Sequence, residues 1–174
     1  MKRILGVDVD LTVAPTLKSW CDWYFTLTGH DVMNDIKEET YNLENLMHAH
    51  HSPLDYWKKH DLYDNLIPIE NSKEVLLELS KSFDIVFVSS CVPEHIRSKE
   101  FFLKRNFPFH KGFVDTSKKG LVKLDIFIDD YKKYLDQVSS SNPNCDCIMF
   151  KSDLNKNENS YKRMDWKEIG EYLK

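Results

Sequence analysis

The feature that most restricts what this chain can fold into is a set of short apolar runs, most of them stopped by an acid or a hydroxyl. Ile4 to Val7 stops at Asp8. Asp84-Ile85-Val86-Phe87-Val88 stops at Ser89-Ser90, and Leu124-Asp125-Ile126-Phe127-Ile128 stops at Asp129-Asp130. Cys147-Ile148-Met149-Phe150 stops at Lys151, and a weaker run, Gly112-Phe113-Val114, stops at Asp115. Runs of this length without polar alternation suit parallel strands covered on both faces. Between them lie helical patterns. Residues 71–81 open with Asn71 and Glu74 at capping-box spacing, then Val75, Leu76, Leu77 and Leu79. Residues 93–105 carry Pro93 in the first turn and then Ile96, Phe102 and Leu103; residues 165–173 open with Asp165 and Glu168 and align Trp166, Ile169 and Leu173. Strands alternating with helices predict a parallel α/β sheet with right-handed crossovers. Ligands of such sheets sit beyond the carboxyl ends of the strands, where three of these runs deliver Asp or Ser.

Residues 15–69 break the alternation. Leu17, Trp20, Cys21, Tyr24 and Thr28 follow helical spacing, widened by Phe25 and Leu27, and short helices are expected over 38–48 and 53–60. The expectation is therefore a core from 1–14 and 70–174, with a mainly helical insertion at 15–69. Residues 151–160, rich in Asn and Lys, read as a surface loop. A length of 174 residues suits one compact domain with such an insertion.

Composition narrows the function classes. The net charge is −4 with no basic stripe, which disfavours binding to a nucleic-acid backbone. A small anion stays compatible, because a metal ion can supply local positive charge. No stretch approaches the roughly 20 apolar residues that span a bilayer. Met1-Lys2-Arg3 and one short apolar run ended by Asp8 do not make a signal peptide. Cys21, Cys91, Cys145 and Cys147 lack paired metal-ligand spacing, so free thiols in a reducing cytoplasm are expected. Cys91 has no His or Asn arrangement nearby and reads as an unreactive thiol. His48, His50 and His51 lack a Cys or carboxylate partner and read as a polar loop rather than a zinc site.

The chemistry concentrates at the strand ends. Asp8 and Asp10 lie two residues apart, and two close carboxylates are costly unless a cation or shared proton relieves them. A hard divalent cation does so, and magnesium suits phosphate substrates. Asp129 and Asp130 add carboxylates, Ser89 and Ser90 add donors for phosphate oxygens, and Lys118 or Lys119 can neutralise further charge. Such a set can carry phosphoryl transfer through an aspartyl-phosphate, with one Asp attacking phosphorus and the other moving the proton.

Asp8-Val9-Asp10-Leu11-Thr12 resembles the first motif, D-x-D-x-[TV], of the haloacid-dehalogenase-like (HAD) phosphatases. Ser89, Lys119 and Asp129-Asp130 match the second, third and fourth motifs in order. The resemblance implies a three-layer α/β sandwich of Rossmann type with a central parallel sheet and a small helical cap after strand one. It implies Asp8 as nucleophile and Asp10 as general acid/base. It implies Mg2+ held by Asp8, the backbone carbonyl of Asp10, and Asp129, with Asp130 and Thr12 in support and Ser89, Ser90 and Lys119 on phosphate. Leu11 stands where the family often has Gly, which puts the turn after Asp10 in question. Asp at position 10 argues against a dehalogenase.

The stretch from Leu62 to Ile69, the helix after it, Val86 to Ser90, and the K-x-x-V-x-x-D-x-x-I-D-D order from Lys119 to Asp130 resemble the 5'(3')-deoxyribonucleotidases. That resemblance implies deoxyribonucleoside monophosphates as substrates and a family in which homodimers are common; the charge, the cysteines and the lack of an apolar span lead us to expect a cytoplasmic protein with neither a stable nucleic-acid partner nor a membrane. It implies cap aromatics near sugar and base, for which Trp20, Tyr24, Phe25, Tyr56 and Trp57 are candidates. The rival readings are a HAD phosphatase acting on a sugar phosphate or a polynucleotide 3'-phosphate, and a non-catalytic nucleotide-binding module.

Overall fold

The computed structural model describes residues 2–36 and 53–174. The expected helix over 38–48 and the His48, His50 and His51 group lie outside the described residues. Among the described residues, six strands form one sheet: β1 (Arg3–Val7), β2 (Phe83–Ser89), β3 (Gly112–Asp115), β4 (Ile126–Asp129), β5 (Asp146–Phe150) and β6 (Lys162–Met164). Their order is β3-β2-β1-β4-β5-β6, and every pairing is parallel. β1 is central. The chain builds outward to β3 on one side and then crosses to β4, β5 and β6 on the other. The strand order thus reverses beside β1, where α/β sheets open a crevice for ligands.

The helices are α1 (Thr16–Thr28), α2 (Pro53–Trp57), α3 (Ser72–Leu79), α4 (Ile96–Asn106), α5 (Lys132–Ser141) and α6 (Trp166–Tyr172). Successive strand residues enter different apolar clusters. Ile126 and Ile128 of β4 join one with Leu76, Leu79, Trp166 and Ile169, whereas Phe127 joins the other with Leu135 and Val138 of α5. Both faces of the sheet are therefore covered, which is why its strands read as continuous apolar runs and why the fold has three layers. At Gly6 in β1, a Cβ would lie 2.5 Å from Leu124 Cδ1, so only glycine lets that side chain close over the strand. No helix among the described residues is long and apolar enough to cross a membrane.

Several local expectations need correction. Asn71 does not cap α3: its φ is 64°, and a left-handed residue cannot aim its side chain at the first turn as an extended cap does. Its carbonyl still accepts from Val75 N at 3.0 Å. The box at Asp165 does form, with Glu168 N donating to Asp165 Oδ1 at 3.0 Å. The pattern over 93–105 opens as a 3-10 turn at Pro93–His95 before α4 begins, and the one over 53–60 is helical only over Pro53–Trp57. Helix α5 and strand β6 were not expected. α5 offers a narrow apolar stripe among Lys and Ser, and β6 is three residues long. Residues 151–160 are not simply a surface loop: a 3-10 turn at Asp153–Asn155 buries Leu154 and Asn155.

Candidate active site

Asp8 follows β1, where its N–H donates to Ile128 O of β4 at 2.8 Å. The carboxylate is thereby held at the junction of two central strands. Asp129 ends β4, and Lys119 enters from the 3-10 turn Lys119–Leu121. Lys119 Nζ lies 2.5 Å from Asp8 Oδ1 and 2.7 Å from Asp129 Oδ2, with all three side chains nearly or fully buried. The ammonium also sits 4.1 Å from the centre of the Tyr134 ring. Lys118 is exposed, so Lys119 is the lysine at the carboxylates.

Oxygens of Asp8, Asp129 and Asp130 all lie within 4.8 Å of one another, and all three residues are buried. Burial pushes Asp8 upward, aided by Asp10 and opposed by Lys119. Burial pushes Asp129 to about 7, also against Lys119. One lysine thus faces more buried negative charge than it can balance. The donors are all carboxylate oxygens, a set that suits a hard divalent cation.

Asp10 is held from a different side. Lys99 Nζ on α4 donates to Asp10 Oδ2 at 2.7 Å, to Ser89 Oγ at 3.1 Å and to the Ser90 carbonyl at 3.1 Å. Tyr63 Oη donates to Asp10 Oδ1 at 2.6 Å. Burial would raise this carboxyl, but Lys99 and then Tyr63 outweigh it and hold it below the usual range. His95 backs the Tyr63 ring edge-on, with centroids 5.3 Å apart. Its Nδ1 meets Trp57 O at 2.8 Å and its Nε2 accepts from Val92 N at 3.2 Å, a pairing that requires the neutral ring. Burial lowers the imidazole's pKa accordingly.

The turn after Asp10 carries the expected anomaly. Leu11 has φ 58°, a conformation in which its Cβ is crowded. The turn is fixed around it: Leu11 N donates to Ala14 O at 2.9 Å, and Trp166 Nε1 donates to Thr12 O at 2.9 Å. Thr12 itself is buried with its hydroxyl unpaired, so its carbonyl anchors the turn.

A cavity of about 230 Å³ gathers Asp8, Asp10, Ser89, Ser90, Lys119, Asp129 and Asp130, walled by Leu11, Leu17, Trp57, Tyr131, Tyr134 and Leu154. A larger basin of about 920 Å³ lies over α5 and holds none of the three clustered carboxylates. Size alone would mislead here. Ser89 is buried and donates to Asp10 Oδ2 at 3.3 Å, while Ser90 is exposed. Of the proposed cap aromatics, Trp57 reaches the cavity. Trp20, Tyr24 and Tyr56 are buried in the core, and Phe25 is exposed.

Sequence reasoning missed Tyr63, His95 and Lys99 as parts of this site. Lys99 left a trace, since it lies three residues after Ile96 and three before Phe102, on the face α4 buries. A lysine inside an apolar stripe needs a buried partner. Tyr63 and His95 left no such mark.

The family described as 5' nucleotidase, deoxy (pyrimidine), cytosolic type C matches residues 2–173. A 5'(3')-deoxyribonucleotidase of Bacillus subtilis is 33% identical over 180 residues, covering 97% of each chain. One from Clostridium acetobutylicum is 29% identical over 173 residues, covering 96% of this chain and 92% of its own. Two solved structures share the fold at low identity. A haloacid dehalogenase-like hydrolase from Streptococcus pneumoniae has a TM-score of 0.63 at 10% identity over 99% of each chain. The HAD-hydrolase YfnB of Bacillus subtilis, bound to magnesium, has a TM-score of 0.63 at 13% identity over 99% of this chain and 98% of its own. The chain belongs to the 5' nucleotidase, deoxy (pyrimidine), cytosolic type C family, and it is a phosphatase with the HAD fold.

Proposed function

We propose that this phosphatase is a magnesium-dependent 5'(3')-deoxyribonucleotidase that hydrolyses deoxyribonucleoside monophosphates through an aspartyl-phosphate. The observation that carries the reading is the buried cluster of Asp8, Asp129 and Asp130 with Lys119 bridging two of them. The names of the Bacillus subtilis and Clostridium acetobutylicum relatives, matched over nearly their whole lengths, support the substrate class. The magnesium in the YfnB structure supports the choice of cation.

In this reading an Asp8 oxygen attacks phosphorus, and the bond from phosphorus to the ester oxygen breaks. Asp10, ionised in the free site, takes a proton from the monoanionic phosphate ester, gives it to that oxygen as it leaves, and then takes one from the water that hydrolyses the aspartyl-phosphate. Ser89, Ser90 and Lys119 receive the phosphate oxygens. Asp8, the Asp10 carbonyl and Asp129, with Asp130 beside them, would hold magnesium, which would supply the positive charge that phosphate and carboxylates share. Lys99 and Tyr63 keep Asp10 facing Ser89. Thr12 serves through its anchored carbonyl.

Residues 1–14 and 70–174 act as the catalytic core and 15–69 as a helical cap that selects the sugar and base. Trp57 on the cavity wall supports that division. The net charge of −4 fits a mononucleotide better than a polynucleotide, and four free cysteines fit a reducing cytoplasm.

Phosphate release tests the reading, with 5'-dNMPs, 3'-dNMPs, ribonucleotides and a sugar phosphate offered with Mg2+ or with chelator. Deoxyribonucleotides should turn over, and chelator or Asp8→Asn should abolish the release. Release from no nucleotide above the Asp8→Asn background would sink the proposal.

A further inference from the structure

We propose that Asn155 is a positioning residue for the cation-binding carboxylates, acting on Asp129 through the peptide group that joins Asp130 to Tyr131. The inference rests on the cation site proposed above. Asn155 lies in the turn after β5, beside the end of β4, and is 3% exposed. Its Nδ2 donates to the Asp130 carbonyl at 2.8 Å and to the Phe150 carbonyl at 2.8 Å. Its Oδ1 accepts from Ser152 N at 3.1 Å and from Arg163 Nε at 2.9 Å. Both N–H groups and both lone pairs of the amide are used. Turning the amide over would set donor against donor and acceptor against acceptor, so one orientation is fixed.

The Asp130 carbonyl belongs to the same planar peptide as the Tyr131 N–H, and that plane turns as one piece. The Tyr131 N–H donates to Asp129 Oδ1 at 2.8 Å. Asp129 Oδ2 meets Lys119 at 2.7 Å, and Lys119 meets Asp8. A continuous hydrogen-bonded path therefore runs from Arg163 and Asn155, through one peptide plane, to Asp129 and on to Asp8. Polarisation along such a chain strengthens the last bond in it. Groups that orient metal ligands without touching the metal change affinity by about 10–100-fold when removed. A stitch that only joined the ends of β4 and β5 would not need the peptide whose N–H aims a ligand.

The test is Mg2+ binding to the intact protein without substrate, by calorimetry well below the unfolding temperature, in the wild type, Asn155→Ala and Arg163→Gln. Unfolding temperatures, and KM for a deoxyribonucleotide at saturating Mg2+, are measured alongside. We expect Asn155→Ala to raise the Mg2+ Kd about 10-fold or more, Arg163→Gln to raise it by less, and KM to stay unchanged in both. A Kd within twofold of wild type in every variant that folds overturns the inference, whatever happens to the unfolding temperature. Arg163→Gln decides alone if Asn155→Ala does not fold. A wild-type protein that binds no Mg2+ instead overturns the cation site itself, and the inference with it.

Discussion

Lys99 Nζ lies 2.7 Å from Asp10 Oδ2, with the lysine side chain wholly enclosed and the aspartate a quarter exposed. The pair is lopsided: water reaches the acid but not the base. Lys99→Met should release the carboxyl from the charge that holds its pKa down. Folded Asp10 now gives stability that is present above the ordinary aspartate pKa and lost as pH falls through its lowered value. The variant loses that contribution and shifts the Asp10 limb of the pH–rate profile upward. Turnover should fall by about 10²-fold or more, the scale of general acid–base catalysis. Stability should fall by less than about 3 kcal/mol, because the remaining charge touches water. Steady-state kinetics against pH and thermal unfolding check both.

Tyr63→Phe removes one donor from Asp10 and keeps the ring against His95 and Phe102. A hydrogen bond to a charged group contributes roughly 1.5–3 kcal/mol. If that energy serves the orientation of Asp10, kcat falls about tenfold or more while KM for the nucleotide holds. A change in KM alone would place Tyr63 in ground-state binding instead.

Leu11 reverses a familiar rule. Glycine usually destabilises relative to alanine, but at φ 58° alanine keeps the crowded Cβ. Leu11→Gly should therefore be more stable than Leu11→Ala by about 1 kcal/mol. Denaturant unfolding of the two variants measures the difference, and the opposite order would mean that the turn relaxes when leucine is cut back.

His95, packed edge-on against Tyr63, gives the fold an acid sensitivity. Burial first, and Lys99 after it, keep the imidazole's pKa low against the pull of the Trp57 carbonyl. Between that lowered value and the ordinary value of about 6.5, the unfolded chain binds a proton that the folded chain refuses. The stability from this site is thus present above about pH 6.5 and is lost as pH falls through the lowered value. Unfolding temperature should drop on acidification more steeply in the wild type than in His95→Gln. Equal slopes would remove His95 as the cause.

The sheet was legible because its strands are buried on both faces, so Ile126-Phe127-Ile128 could be read without knowing which face each residue meets. The carboxylates were legible because strand ends announce themselves. Asp8, Ser89, Lys119 and Asp129 then proved to share one cavity. Lys99 was not read, because one lysine in an apolar stripe looks like a solvated one until its partner appears 89 residues away. Asn71 was misread because spacing records residue type but not backbone sign. Asn155 was passed over for its neighbours, whose Lys and Asn content hid two buried side chains. Helix α5 presents too few apolar residues to stand out before the sheet that covers them is known.

The contact between Lys119 and Asp8 closes a loop spanning 111 positions, and β1 finds its two partners only after residues 83 and 126 have been made. A ribosome therefore releases the two N-terminal acids long before anything that can answer them. A nascent chain grown only as far as β3 already holds Tyr63 and Lys99 for Asp10 but carries Asp8 without Lys119 or Asp129, and its central strand has one neighbour instead of two. Contacts this distant along the chain form slowly, after much chain entropy has been spent. The candidate centre is thus a late product of synthesis: Asp8 meets Lys119 and Asp129 only once β4 has paired with β1.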